Sequence, residues 1–552
     1  MLGLPPIDGQ ADRMDLCIVG AGAAGLALAS SFIGAGLRVA VLEAGGEKQT
    51  KASQAIYEGE LADPSVHPYL HHFRVRALGG ASRIWGGRCI PFDPIDFAER
   101  DWAPGPGWPI ALQGLTPYYV AAQAAAEAGP FDYDPRTALP GRPVELAPGL
   151  DGARIETRLE RFSKPTNFWT RYGADLAAAA DVWVARDTPV LGIRLSPDGR
   201  TVDHLEIAGP HGAARRTLRA RRYVLALGGL ETVRLMLASR DVRPAGVGND
   251  HDQLGRYYMS HLAATSGHVT FTGAPDRIAF DYERDAAGAY VRRRLAVTAE
   301  AQRERGLLNT IFRTHLPDPM DPAHGDAILS AMYLVKDLVL YEYSRKFREG
   351  QVGWGGRLRH MGNIVSHPLR LATFGRTWVK DRILAERKLP SVVLGSSTNR
   401  YALEFHAEQA PNRDSRLTLG DQTDAFGMPR LKADWRLTPL DLESLKRAYA
   451  LLAEELQRTG TGVLEYDPGA VGEAALAAGA YGGHHLGAAR MSARPEDGVV
   501  DETLKVHGVD NLFVASGAVL PTSSQANPTL TILALTFRLA EHLKAELAPR
   551  SA

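Results

Sequence analysis

The chain has 552 residues, 45% hydrophobic and 23% charged, with 63 basic and 63 acidic side chains. This composition excludes a disordered, collagen-like or coiled-coil chain, and the zero formal charge argues against a dedicated nucleic-acid binder. Two cysteines, Cys17 and Cys89, cannot build a disulfide framework or a cysteine-rich metal site, so no metal is expected. Glycine is the unusual component. Its 56 residues are about 10% of the chain against a usual ~7%, which points to backbone that must approach something closely.

The N-terminus lacks a basic segment followed by an apolar one, so no secretory signal is read and a cytoplasmic location is expected. The apolar run from Leu16 to Ala35 is interrupted by glycines and serines, and reads as strand-turn-helix rather than a membrane span. Asp15 to Val19 predicts a strand running into Gly20-Ala21-Gly22-Ala23-Ala24-Gly25. Leu26 to Ala35 predicts a helix, and Arg38 to Leu42 a second strand that ends at Glu43. This is a βαβ unit with the dinucleotide fingerprint in its required context. Gly20 permits the tight turn, Gly22 lets backbone approach a pyrophosphate, and Gly25 allows close helix–strand packing. The helix N-terminus favours phosphate charge, and Glu43 is placed to bind ribose hydroxyls, which disfavours a 2′-phosphate. NAD and FAD both remain open on the fingerprint alone.

Pro/Gly-rich loops follow, including Trp102 to Trp108, and β-type residues recur from Val182 to Leu195. Tyr223 to Leu227 predicts a strand entering Gly228-Gly229 and a helix from Glu231 to Ser239. Segments such as Ala263 to Thr272 and Arg416 to Leu419 suggest an antiparallel sheet with helices. A helix capped by Thr438, with Pro439 in its first position, is predicted to stop at Thr459 before Gly460. Thr529 to Glu546 predicts a final Ala/Leu-rich helix. Residues 341–390 depart from the neutral average, with eleven basic and four acidic side chains interleaved with aromatics. They read either as a solvated helical insertion or as a surface for anionic lipid, an anionic carrier or a partner subunit.

Several segments together resemble the glucose-methanol-choline (GMC) family of flavoprotein oxidoreductases. Beside the βαβ unit stand Leu78-Gly79-Gly80-Ala81-Ser82-Arg83-Ile84-Trp85-Gly86-Gly87 and Val224-Leu225-Ala226-Leu227-Gly228-Gly229. Glu408 to Arg416 resembles the start of a family strand region. The C-terminal block holds His484-His485-Leu486-Gly487, then Asn511 to Gly517, then Asn527-Pro528-Thr529. These segments occur in family order from end to end of the chain, while 263–400 matches nothing recognisable.

The resemblance implies an α/β fold, with a Rossmann-like FAD-binding domain of the p-hydroxybenzoate-hydroxylase type and an inserted α+β substrate domain on an antiparallel sheet. The boundaries expected are 1–110, 185–262 and 478–552 for the FAD domain, 111–184 for a connecting, flavin-covering segment, and 263–477 for the substrate domain. It implies FAD, contacted by Gly20, Gly22, Gly25, Glu43, Gly79, Gly80, Ser82, Trp85, Gly86, Val190, Ala226, Gly228, Ser516, Gly517, Asn527, Pro528 and Thr529. Ser516 stands where the family often has an Asp, and its hydroxyl is a weaker acceptor. Ile84 occupies the position where some members tether FAD through a histidine, so dissociable FAD is expected.

The implied reaction is oxidation of an alcohol, here a sugar or polyol, with oxygen or another carrier as electron acceptor. Flavin N5 can take the hydride, and the protein must take the proton. Histidine titrates near neutrality and suits a general base, whereas asparagine cannot titrate but can orient a hydroxyl. His484 is read as the base, Asn527 as the orienter and His485 as the alternative base. A lyase or photoenzyme on the same fold, a sterol or aliphatic alcohol oxidase, and a non-catalytic flavin-binding subunit are the rival readings.

Overall fold

A computed structural model describes residues 1–5, 13–105, 107–209, 215–317, 319–334 and 353–548. Five short apolar strands form a parallel sheet in the order Leu512–Val514, Ala220–Leu225, Met14–Val19, Val39–Leu42, Val182–Ala185. Strands such as Val39–Leu42 are buried on both faces, as a parallel sheet covered by helices demands. The helices Ala23–Ser30 and Thr529–Leu547 pack on this sheet and on each other.

The first helix starts at Ala23 rather than Leu26 and ends at Ser30 rather than Ala35. Gly22 serves as its N-cap, so the fingerprint glycines belong to the helix start itself. Turns follow in which Gly34 and Gly36 take left-handed φ of 72° and 69°, a conformation that ends a helix. The later predictions lie nearer the structure. The strand predicted at Tyr223–Leu227 spans Ala220–Leu225, and its helix spans Gly228–Ala238.

The second layer is a nine-stranded antiparallel sheet. Its spine runs Gly462–Glu465, Met259–Phe271, Arg400–Glu408, Thr310–His315, Tyr290–Val297, Ile155–Phe162, Arg88–Cys89. The helix Pro439–Thr459 covers one face, where Leu445, Ala448, Leu452 and Leu456 recur at helical spacing and bury with Phe312 and Phe405 in a second core. Its limits match the sequence prediction. The Thr438 backbone N–H donates to Asp441 Oδ2 at 2.5 Å, and Gly460 ends the helix at φ 66°.

Strand pairing cuts across the expected boundaries. Arg88–Cys89 and Ile155–Phe162 join the antiparallel sheet, whereas Val182–Ala185 joins the parallel one. Tyr481–Leu486 pairs with Met259–Phe271, so the strand carrying both candidate histidines belongs to the antiparallel sheet. Arg416–Thr423 and Pro429–Asp434 form a small sheet with Glu60–Leu61. Sheet membership is set by pairing partners distant in sequence, which no local pattern records.

Residues 341–352 of the basic stretch lie outside the described residues. The rest forms helices Trp354–Ser366 and Pro368–Trp378, followed by a wide turn at Val379–Leu384. No helix among the described residues is long and apolar enough to cross a membrane.

Candidate active site

The glycine turns and the C-terminal block meet in one cleft at the carboxyl ends of the parallel strands. The space available to glycine shows what the cleft is shaped for. A Cβ on Gly20 would stand 2.5 Å from the Ala226 carbonyl oxygen, and one on Gly25 would stand 1.9 Å from that of Gly20. Gly22 meets nothing within 4 Å and lines the cleft. A Cβ on Gly80 would stand 3.0 Å from the Gly22 Cα, so the second glycine turn packs against the first. The helix starting at Ala23 has no side-chain cap and no acid in its first turn, so its leading amides are left for a ligand. An uncapped N-terminus behind bare glycine suits a pyrophosphate. Glu43 closes the other side, accepting hydrogen bonds from the amides of Ala21 (2.9 Å) and Gly45 (2.7 Å). Burial pushes its carboxyl upward, opposed by those two amides and Arg76. The residues present therefore fit FAD.

At the far end of the cleft, Tyr481–Leu486 presents two successive histidines to opposite sides, as a strand must. His485 faces the cleft and stacks on Tyr258 with ring centroids 6.2 Å apart. His484 lies where the cleft opens into a second cavity, and Asn527 lines that cavity with it. Asn527 Nδ2 is 3.2 Å from His484 Nε2, and its Oδ1 is buried with no hydrogen-bond partner. His484 Nδ1 is 2.8 Å from Nδ1 of His261, whose Nε2 is 3.0 Å from the Ser523 carbonyl oxygen. His406 stacks on His261 at 4.5 Å and places its Nδ1 2.5 Å from the Gln525 carbonyl oxygen. Nitrogens of His261, His406 and His484 lie within 4.8 Å of one another, a spacing that would also suit a metal ion. The hydrogen bonds above already engage all three rings.

Burial holds all these imidazoles below their ordinary range. His261 is brought down to about 4, and His484 lies well below 6.5 through burial, His261, His485 and Arg88. His484 is thus neutral at neutral pH, the form a proton acceptor needs.

Of the residues read from sequence, Gly20, Gly22, Glu43, Gly80, Ser82, Val190, Ala226, Gly228, Ser516, Gly517 and Pro528 line the cleft. Trp85, Thr529 and His484 line both cleft and cavity, and His485 the cleft alone. Gly86 and Asn527 face the cavity, whereas Gly25 and Gly79 sit behind the cleft wall, where a Cβ would strike Gly20 and Asn167. Ser82 holds its own loop, donating to the Gly79 carbonyl at 2.6 Å.

Other parts of the site were not read from the sequence. Arg74 and Arg76 stand over Tyr57 at the cleft, where Arg74 pairs with Glu231 (2.9 Å) and Arg234 with Asp424 (2.6 Å). The cavity is walled by Arg88, Phe162, Arg292, Thr314, Glu404 and Val392, among others. His261 and His406 come from strands Met259–Phe271 and Arg400–Glu408, where alternation reads only as ordinary sheet.

Comparison with known proteins points the same way. The family model described as GMC oxidoreductase matches residues 411–536. The chain is similar to 6'''-hydroxyparomomycin C oxidase of Streptomyces lividus, at 26% identity over 99% of this chain and 94% of that protein. It is similar to 2-methyl-1,2-propanediol dehydrogenase of Mycolicibacterium austroafricanum, at 24% over 97% and 96%, and to the fructose dehydrogenase large subunit of Gluconobacter japonicus, at 20% over 97% and 98%. The fold is shared with pyridoxine 4-oxidase from Mesorbium loti, with a TM-score of 0.53 and 17% identity over 96% and 99% of the two chains. Residues 411–536 thus match the GMC oxidoreductases, and together with a cleft that fits FAD and a His–Asn pair at its end these similarities point to an FAD-dependent oxidoreductase acting on CH–OH groups.

Proposed function

We propose that the chain oxidises a hydroxyl-bearing carbon of a sugar or polyol, with His484 as proton acceptor and Asn527 as the group that holds the hydroxyl. The observation that carries this reading is the His484–Asn527 contact at the mouth between cleft and cavity. A hydroxyl entering there replaces the direct contact. It donates to His484 Nε2 and accepts from Asn527 Nδ2. As its proton moves to Nε2, the Asn527 amide and the newly cationic imidazole stabilise the charge growing on the oxygen. Bound FAD supplies the acceptor for the carbon-bound hydride, so the substrate loses two hydrogens and becomes a carbonyl compound. The cavity favours a polyhydric substrate because charged and polar groups (Arg88, Arg292, Thr314, His315, Glu404) share its wall with rings and aliphatics, whereas a sterol calls for apolar lining throughout. Relatives named for hydroxyparomomycin, propanediol and fructose support the same class. An anaerobic flavin-bleaching screen with sugars, polyols, sterols and aromatic alcohols tests it. Bleaching by sterols alone would overturn the substrate class. Oxygen consumption with the best substrate then separates oxygen from another carrier as acceptor.

FAD is held without a covalent bond in this reading, because Ile84 offers hydrocarbon where a histidyl link would need a nucleophile. Acid precipitation should release yellow flavin into the supernatant, and flavin retained in the pellet would count against it.

The reading also places an anionic membrane surface against helices Trp354–Ser366 and Pro368–Trp378. Trp354, Leu358, Met361 and Val365 repeat at helical spacing with outward side chains, and Trp354 is 80% exposed. From Gly353 to Lys380 there are five basic residues and no acid. Exposed apolar side chains flanked by positive charge suit an interfacial helix. Sedimentation with phosphatidylcholine vesicles, with and without phosphatidylglycerol, should show binding to the anionic set only, lost in Trp354→Ser/Leu358→Ser. No binding, or self-association abolished by the same pair of changes, would refute it.

A further inference from the structure

Acceptance of a proton by His484 requires that its Nε2 carry a lone pair, and a neutral imidazole places its single hydrogen on either nitrogen. The neighbouring groups decide which. The Ser523 carbonyl, 3.0 Å from His261 Nε2, can only accept, so the hydrogen of a neutral His261 lies on Nε2. Its Nδ1 is then bare. That bare nitrogen is 2.8 Å from His484 Nδ1. Two lone pairs cannot face each other at that distance, so His484 Nδ1 must be the donor. The one hydrogen of neutral His484 is thereby spent, and its Nε2 is bare where it meets Asn527 Nδ2 at 3.2 Å. Every contact along Ser523, His261, His484 and Asn527 is satisfied by this assignment. The reverse assignment needs a charged His261, which full burial opposes.

We infer that His261 is a positioning residue: it holds His484 in the Nδ1–H tautomer and so reserves the Nε2 lone pair for the substrate hydroxyl. This rests on the proposal that His484 is the base. When Nε2 takes the proton, His484 keeps its Nδ1–H on His261, so the ring does not turn during the reaction. The chain of contacts also ties the base to the loop 523–527. The same loop that presents Asn527 supplies the carbonyl at Ser523 that sets His261, so base and orienter share one support.

Ring-15N histidine labelling of the FAD-loaded enzyme reads the tautomer directly, with the His484 signals identified by their loss in His484→Gln. A protonated Nδ1 and bare Nε2 are expected. A protonated Nε2 in the resting enzyme would overturn the inference. Activity gives the second readout. His261→Phe should lower kcat by at least about tenfold, toward the ~10⁴-fold that a wrong histidine tautomer costs in a serine protease triad, with KM little changed. His261→Asn, whose Oδ1 stands near the place of Nδ1, should recover most of that loss. Equal damage from Phe and Asn, or a loss confined to KM, would show a packing role instead. If the Phe variant fails to fold, the 15N spectrum of the unmutated enzyme still decides. The two readings fail separately. Unchanged flavin reduction in His484→Ala removes the base while leaving the tautomer result standing, and a wrong tautomer removes only the role of His261.

Discussion

The cofactor cleft and the cavity beyond it share His484 but are built differently. The cleft wall is made of turns whose key residues are near neighbours in sequence: Gly20 with Gly22, Gly79 with Gly80, Gly228 with Gly229. Its demand is on backbone, and only glycine meets it where a Cβ would strike a carbonyl at 2.5 Å. The cavity wall is made of side chains from strands far apart, and the His261–His484 contact alone spans 223 residues. Its demand is on which nitrogen carries a hydrogen, which no single segment decides. The pair His484 and His485 puts the contrast in adjacent residues. One imidazole belongs to the hydrogen-bonded cavity, and the other faces the cofactor cleft from the opposite side of the same strand.

The largest test of that contrast is the histidine pair itself. His484→Ala should slow flavin reduction by about 10²–10⁴-fold, the usual worth of a positioned general base, while FAD stays bound. His485→Ala should instead perturb the flavin absorbance and leave reduction within about tenfold. Equal losses of reduction in stopped-flow would erase the division of labour between the two faces.

A smaller effect is expected from the cleft side. Gly22→Asp places a carboxylate where nothing now stands within 4 Å. It should weaken FAD binding by charge repulsion and by taking up the helix-start amides, whose interaction with an anion is worth about 0.3–2 kcal/mol, with little change in the melting temperature of the apoprotein. Unchanged flavin affinity by fluorescence titration would mean that the phosphates lie elsewhere.

The smallest effect is on pH dependence. His484 is held well below 6.5 by burial, so as the proposed base it is neutral above that value, and kcat/KM should stay level down to pH 6.5 and fall only in more acid solution. Stability follows the same sign. His261 is depressed to about 4, so its contribution is present above pH 6.5 and is lost as pH falls toward 4. An acid limb at or above pH 7 would contradict the burial of the base.

The parts legible in the sequence were those with a local physical cause. Gly20, Gly22, Gly25 and Glu43 could be read because a βαβ unit with phosphate at the helix start restricts residue type at fixed spacing. The limits of Pro439–Thr459 could be read because the cap Thr438, Pro439 in the first position and the terminal Gly460 act within a turn of the helix. His484 and Asn527 were found through family resemblance, and their contact needed the structure. His261 and His406 carried no signal, since a buried histidine on a strand looks like any sheet residue until its neighbours are known. The ion-paired wall of Arg74, Glu231, Arg234 and Asp424 was likewise invisible, because Arg74 and Asp424 lie in loops far in sequence from the helix that carries Glu231 and Arg234.

Composition, glycine spacing and the order of segments therefore determined that this chain binds a dinucleotide cofactor on an α/β sheet and has the make-up of a flavoenzyme. Tertiary structure decided which histidine faces the cavity, which groups its ring nitrogens meet, and which strands wall that cavity. The reason is physical. A close backbone approach constrains the residue at that position, whereas a hydrogen-bond direction is a property of pairs, and the pairs form only when distant strands come into register.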